Sequence, residues 1–205
     1  MRAGIEVAEM QENARFAMVK RHHAETFAKA LAEGKMDLQM VPLCRFVAKT
    51  KKFFTSSCCS GRIVLLEMPE NGKKCETDFH RKWHGKVSFR ELWDGIAEPT
   101  AGELWFKLDG FILHIGTDSL ENARTILAVM KLAGVKRGGI IVAKQGKFLV
   151  EMQGTESMSF PVKSENEIIV EKAFMKRILA KANKKLAKNY AKLKAFEKAC
   201  RKNLE

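Results

Sequence analysis

Between Phe53 and Arg62 the chain reads Phe-Phe-Thr-Ser-Ser-Cys-Cys-Ser-Gly-Arg, followed by Ile63-Val64-Leu65-Leu66-Glu67. Six consecutive small hydroxyl or thiol side chains, Thr55 to Ser60, cannot build a core. Their hydroxyls and N–H groups can wrap a ligand. Gly61 lets the backbone approach it closely, and Arg62 supplies a planar fork suited to phosphate or carboxylate. The run predicts a binding or catalytic loop between strands over 53–55 and 62–68. A polar hairpin loop with an incidental Arg has the same composition.

Other constellations bear on the same question. Cys58, Cys59, Cys75, His80 and His84 are zinc-ligand types. Adjacent Cys58 and Cys59 lack the two-to-four-residue spacing of a zinc knuckle, and in an extended segment they point to opposite faces. Cys59 paired in space with His84 or His114 is the arrangement a thiol nucleophile needs, while a small buried thiol is the commoner state of a free Cys. No GxGxxG follows a strand and no GxxxxGK[ST] is present, so dinucleotide and Walker-type phosphate sites are not indicated. Lys136-Arg137-Gly138-Gly139 reads either as the loop after a helix cap or as a close-approach turn with two cations facing RNA. Trp83-His84 lies among Arg81, Lys82 and Lys86, where an aromatic ring can stack on a base. Trp93 and Trp105 sit in apolar surroundings and read as core. His84 and His114 are the proton-handling candidates, although Ile112-Leu113-His114-Ile115 also suits a core histidine.

The elements that must position these groups follow from periodicity and punctuation. Apolar residues from Val7 to Leu31 predict a helix over 6–33, ended by Gly34. A second helix is predicted over 37–48, with Asp37 as cap and Pro42 in its first turn. Pro69-Glu70-Asn71-Gly72 reads as a turn and 78–87 as a strand. Ser88 and Glu91 form a capping-box pattern opening a short helix to about Ile96. Asp109-Gly110 between two apolar runs, 103–108 and 111–115, predicts a hairpin. Asp118 with Glu121 opens a helix that Gly134 ends. Residues 140–144 and 147–153 form a second strand pair around Gln145-Gly146. Ser164 with Glu167 opens a long helix over 165–204, with Phe174, Ile178, Leu186, Leu193 and Phe196 on its apolar side. The order of hairpins and helices predicts α+β with a mixed sheet, as a single domain over 1–205, not a regular βαβ succession.

Charge narrows the partners. The formal net charge is +13, of which the segment from Glu171 to Glu205 carries +9 (twelve Lys/Arg against three Glu). Such a block is a footprint for tRNA or another RNA, supplying affinity without base specificity; a solvated helix face is the plainer alternative. No run approaches the ~20 apolar residues of a membrane span and no signal peptide is visible. Five Cys without framework spacing point to a reducing, cytoplasmic setting.

Taken in order, these segments resemble the archaeal wybutosine-synthesising N4-methyltransferase family, the third enzyme of wybutosine synthesis in eukaryotes. Ser57-Cys58-Cys59-Ser60-Gly61-Arg62-Ile63 looks like that family's Ser-Ser-Cys-Ser-Gly-Arg-Ile. Gly34-Lys35-Met36-Asp37, Val41-Pro42-Leu43, Lys82-Trp83-His84, Glu103-Leu104-Trp105-Phe106, Ile112-Leu113-His114-Ile115, Ala133 to Ile140 and Gly154-Thr155-Glu156 reinforce it across nearly the whole chain. Cys58 stands where the family has its second Ser, and Gly138 where it has Ser before Gly-Ile. Either change could remove a hydroxyl contact to ligand.

The resemblance implies a family-specific fold without the Rossmann glycine fingerprint. It also implies methyl transfer from S-adenosylmethionine to N4 of the wyosine-type guanosine (7-aminocarboxypropyl-4-demethylwyosine) beside the anticodon of tRNA(Phe). Under it, His84, His114 and Ser60 are catalytic candidates, with a histidine orienting the base or accepting its proton. Ser57, Cys59, Gly61, Arg62, Trp83 and Gly139 are cofactor-binding candidates. Lys136, Arg137, Lys181, Lys184, Lys185 and Lys188 would hold the anticodon arm, and no metal is required. The rival reading is a non-catalytic RNA-binding protein whose Ser/Cys loop clamps phosphate.

Overall fold

The computed structural model describes residues 2–69 and 78–204, with side chains over 14–69 and 79–204. The turn expected at 69–72 and Cys75 fall outside the described residues, apart from Pro69. The elements are α1 (Arg2–Ala32), α2 (Val41–Lys49), β1 (Phe53–Cys59), β2 (Arg62–Met68), β3 (Asp78–Trp83), α3 (Phe89–Ala97), β4 (Glu103–Asp109), β5 (Ile112–Thr117), α4 (Leu120–Leu132), β6 (Arg137–Lys144), β7 (Lys147–Gln153), β8 (Met158–Ser164), β9 (Glu167–Ile168) and α5 (Lys172–Asn203). The α+β class holds. In place of one mixed sheet there are two, ordered β1-β5-β7-β6 and β3-β2-β4-β8-β9, and every pairing is antiparallel.

Each sheet belongs to its own compact unit. The first unit comprises Met1–Ser60, Phe111–Gln153 and Lys192–Glu205; the second comprises Gly61–Gly110 and Gly154–Ala191. The chain passes from one to the other at Ser60/Gly61 and again at Gly110/Phe111. The hairpin expected at Asp109-Gly110 therefore does not form: β4 pairs with β2 and β8, and β5 with β1 and β7. The local Asp-Gly signal is overridden by the partners each strand finds elsewhere.

In the first unit, one sheet face carries Leu113, Ile115, Val150 and Met152. These pack with Leu43, Cys44 and Val47 of α2, Ile126, Val129 and Met130 of α4, and Leu193, Phe196 and Cys200 of α5. Helix α2 starts four residues later than expected, with Met40 at its N-cap position, no side-chain cap, and Pro42 in its first turn; the Asp37 carboxylate accepts instead from the Ser60 backbone N–H at 2.7 Å. Ser119, not Asp118, caps α4, accepting from the Asn122 N–H at 3.2 Å. At its end Val135 N donates to Met130 O and Gly134 N to Lys131 O, with Gly134 at φ +68°, the paired C-terminal closure that favours glycine. The periodicity of α1 does not translate into a buried stripe along the described part: Phe16 is buried while Met18 is exposed.

In the second unit, Ile63, Leu65, Leu104, Phe106, Leu108 and Val162 face Leu92 and Ile96 of α3 and Met175, Leu179, Ala182 and Leu186 of α5. The Ser88–Glu91 capping box is formed in both directions, at 3.2 and 2.8 Å. Ser164 and Glu167 do not cap a helix. They pair across a two-residue hairpin turn in which Glu165 and Asn166 have φ of 49° and 62°, so α5 begins at Lys172 instead of 165. Its buried stripe runs through Met175 and Leu179, leaving Phe174 exposed. Trp93 packs beside this core. Trp105 does not: it lies on the alternate face of β4 and donates to Glu103 at 2.6 Å.

Candidate functional site

The Ser/Cys run is strand, not loop, as far as Cys59. It pairs with β5 and carries a bulge between Thr55 and Ser57. An extra residue in one strand reverses the alternation beyond it. Phe53 and Thr55 face the core side; after the bulge at Ser56, Ser57 and Cys59 point outward and Cys58 points into the core. Without the bulge Ser57 would be buried and Cys58 outward.

Register then aligns the outward side chains in rows across the four strands. Ser57 pairs with His114, His114 with Glu151, and Glu151 with Gly139. The next row is Cys59, Ile112, Gln153 and Arg137. Hydrogen bonds tie the two rows together: His114 Nε2 lies 2.7 Å from Glu151 Oε2, and Gln153 Nε2 donates to Glu151 Oε1 at 2.7 Å. Nothing lies within 4 Å of the position a Cβ on Gly139 would take, so the face is open beside Glu151. The preceding row on this side holds Phe54 and Gly116, and here α1 packs. The His23 ring stacks on Phe54 at 4.8 Å, the Phe16 ring lies 5.9 Å away, and a Cβ at Gly116 would strike the Phe54 ring. Burial of its ring where α1 packs on the sheet lowers the His23 pKa.

The two departures from the family pattern share one row on the opposite side. Cys58 pairs with Leu113, Leu113 with Met152, and Met152 with Gly138. Cys58 Sγ lies 3.8 Å from buried Cys44 Sγ. That hydrogen bond holds the Cys58 thiol below the ordinary range and raises the Cys44 thiol, with burial adding to the latter. At Gly138, φ is +147°, and a Cβ would meet Glu151 O, Met130 Cε at 2.7 Å and Met152 Cα at 2.9 Å. A hydroxyl at either position would point toward the core, not the outward rows.

The strands thus bring Ser57, Cys59, His114, Gly139 and Arg137 together. His114 is half-buried on the outward side, not a core histidine. Sequence reading missed Glu151 and Gln153, whose signal was the strict alternation of Val150 and Met152 with polar neighbours. Lys136 and Arg137 are exposed; Lys136 lies in the connection after α4 and Arg137 opens β6, so from Arg137 onward this segment is strand and not a loop. Ser60 is buried, with its N–H on Asp37.

The remaining candidates lie in the second unit. Gly61 has φ +94°, and its Cβ direction is filled by Asn189 Nδ2 at 2.7 Å and Asp109 O at 2.8 Å. Its small size therefore serves packing. Arg62 Nε donates to Asp109 Oδ2 at 3.3 Å, with the guanidinium 4.5 Å above the Phe79 ring centroid. Trp83 packs partly against the second core, and the carbonyl of exposed His84 accepts from the Tyr190 hydroxyl. Lys185 pairs with Glu156 at 2.7 Å, whereas Lys181, Lys184 and Lys188 are exposed.

The family described as methyltransferase TYW3 matches residues 15–202. The chain belongs to this family. It is 32% identical to the tRNA(Phe) 7-((3-amino-3-carboxypropyl)-4-demethylwyosine(37)-N(4))-methyltransferase of Thermococcus sibiricus, over 89% of this chain and 92% of that one. It is 33% identical to methyltransferase 1 of the same description from Thermococcus kodakarensis, over 89% and 92%. The solved PH1069 protein of Pyrococcus horikoshii superposes with a TM-score of 0.85 at 31% identity, covering 91% of this chain and 96% of that chain. This TYW3-family chain is accordingly a methyltransferase, which requires a methyl donor. Among its described residues no helix is long and apolar enough to cross a membrane.

Proposed function

We propose that this chain methylates N4 of 7-(3-amino-3-carboxypropyl)-4-demethylwyosine at position 37 of tRNA(Phe), with S-adenosylmethionine as donor. The observation that carries the reading is the outward row Ser57–His114–Glu151–Gly139: a held imidazole beside an open stretch of strand.

The chemistry replaces an N–H by N–CH3, so one proton must leave as the methyl arrives. The Glu151 carboxylate accepts only, so it fixes the imidazole proton on Nε2 and leaves Nδ1 as the acceptor. Nδ1 takes the ring proton, and Glu151 stabilises the imidazolium that results. Ser57 offers a hydroxyl beside the imidazole, and the absent side chain at Gly139 leaves room for a flat base.

A sulfonium donor fits this face: Ser57, Cys59 and Gly139 are small, and Glu151 is the carboxylate beside them. When bound, that donor supplies an electrophilic methyl and leaves as a thioether. Holding nucleophile and methyl in line is the main work, and positioning of this kind supplies much of an enzyme's acceleration. Ser60, of the same unit, remains a candidate beside this row, and Gly61, Arg62, Trp83 and His84 remain candidates within the second unit. Lys136 and the exposed lysines of α5 hold tRNA phosphates. An anticodon-loop base is already unpaired, so little energy goes into exposing it.

The test is mass spectrometry of nucleosides from tRNA(Phe) carrying the demethylated base, after incubation with protein and S-adenosylmethionine. One added methyl on that nucleoside is expected with the native chain and not with His114→Ala. Full methylation by His114→Ala would remove the proton-acceptor role. An unchanged nucleoside with the native chain, together with no S-adenosylmethionine binding by calorimetry, would overturn the reading.

A further inference from the structure

The second outward row pairs Arg137 with Gln153 on adjacent strands, and their functional groups are complementary in a specific sense. Arg137 is exposed at the start of β6 and presents only donors. Gln153 has its orientation set by Glu151: the group facing that carboxylate oxygen at 2.7 Å must be the amide NH2. The Gln153 carbonyl oxygen is then left as an acceptor across the strand pair from Arg137. A cationic fork beside a fixed neutral acceptor matches one common chemical pattern, the carboxylate and ammonium of an α-amino acid.

Both molecules in the proposed reaction carry that pattern as a 3-amino-3-carboxypropyl group: the tricyclic base at its C7, and the donor on its sulfonium. The spacing suits the base. Arg137 lies two strands from His114 and two residues along, which strand geometry places at about 12 Å between Cα atoms. A base set against the His114 imidazole, with its side chain running along the sheet from β5 toward β6, spans that gap once the long Arg side chain reaches back.

Resting on the reading above, we propose that Arg137 and Gln153 form a recognition couple for the α-amino-acid end of a 3-amino-3-carboxypropyl group. Arg137 grips the carboxylate and the Gln153 carbonyl accepts from the ammonium. Glu151 keeps Gln153 in the required orientation. Arg137 is then a specificity determinant, not a general phosphate contact.

The experiment compares native protein, Arg137→Gln, Arg137→Lys and Gln153→Leu on two tRNA(Phe) preparations. One bears the side chain at C7; the other bears the same tricycle without it. The readouts are Kd for each tRNA without donor, Kd for S-adenosylhomocysteine by calorimetry, and kcat/KM, with circular dichroism as the folding control. Arg137→Gln is expected to weaken binding of the chain-bearing tRNA by about 10- to 100-fold relative to the chain-lacking one, the scale of a lost charge-assisted contact. Arg137→Lys should retain part of the preference, and Gln153→Leu should lose it.

If the loss falls on S-adenosylhomocysteine while both tRNAs bind as before, the couple holds the donor's amino-acid end instead. Equal weakening toward both tRNAs, with unchanged S-adenosylhomocysteine affinity, would make Arg137 a phosphate contact and overturn the proposal; so would no change at all. Native protein that discriminates between the tRNAs through Arg137 but methylates neither would sink the catalytic reading and leave the couple standing.

Discussion

If Glu151 works through His114, replacing it should cost activity only while His114 is present. The carboxylate accepts two hydrogen bonds of 2.7 Å, one from His114 and one from Gln153. The His114 and Glu151 side chains are 18% and 24% exposed, so water screens the pair only partly. A charge-assisted hydrogen bond of this kind contributes about 1.5–3 kcal/mol, against about 1 kcal/mol for a neutral one. Glu151→Gln exchanges the first for the second, and a loss of about 1 kcal/mol corresponds to about 5-fold in kcat. Glu151→Ala removes the contact altogether, for about 10- to 150-fold. His114→Ala removes the proton acceptor, with an expected loss of about 100- to 10,000-fold. The assay is single-turnover methyl transfer, followed by nucleoside mass spectrometry, for both single variants and the double variant, with tRNA affinity measured alongside. With tRNA saturating, the double variant should be no slower than His114→Ala, because the carboxylate has no imidazole left to orient; its hold on Gln153 is read separately, in the tRNA affinity. Losses that multiply, with the double variant at least 10-fold below His114→Ala, would refute the coupling and give Glu151 an independent role.

The two adjacent glycines should separate stability from activity. Gly138→Ala forces a Cβ onto the Glu151 carbonyl at φ +147° and should destabilise by about 1–3 kcal/mol. Gly139→Ala enters open space and should stay within about 0.5 kcal/mol in thermal unfolding while methylation falls; the reverse order would contradict the assigned faces. Replacing Lys181, Lys184 and Lys188 with Ala should reduce the slope of log Kobs against log salt for tRNA by up to about 2–3, and Lys185→Ala, already paired with Glu156, by less. An unchanged slope would mean that this helix face does not meet phosphate. Cys44→Ala removes the hydrogen bond that holds the Cys58 thiol low, so the Cys58 pKa should rise and its alkylation near neutral pH should slow, as read by peptide mapping; an unchanged rate would show that Cys44 does not tune it.

Local signals with a self-contained mechanism were legible in the sequence. The Ser88–Glu91 box, the Gly134 closure and the turn at Gln145-Gly146 each depend on a few consecutive residues. What failed was decided at a distance. Asp109-Gly110 has hairpin chemistry, yet β4 and β5 find better partners in separate sheets. Asp37 has cap chemistry, yet its carboxylate is taken by the Ser60 N–H. Ser164–Glu167 satisfies a capping pattern and a hairpin turn equally, and pairing of β8 with β9 decided between them. At the site, the residue types in the Ser/Cys run were visible, but their faces were not. The bulge at Ser56 depends on register against β5, which no local pattern encodes. Glu151 and Gln153 read as ordinary strand-surface polar residues until that register set them beside His114 and Arg137.

The order in which the chain is made adds a constraint of its own. The core of the first unit draws Phe53 from the start of the chain, Leu113 and Val150 from the middle, and Leu193, Phe196, Cys200 and Leu204 from beyond residue 190. Strand β1, with its row of small polar side chains, has no partner until β5 has been synthesised more than fifty residues later. The apolar face of the site sheet then stays uncovered on its α5 side until those four residues emerge. Ribosome-attached chains are therefore exposed to mispairing at the very strand that carries Ser57. A stop codon shortly after residue 191 would leave every described residue of the outward rows in the chain and still deny the sheet beneath them the cover of Leu193, Phe196, Cys200 and Leu204.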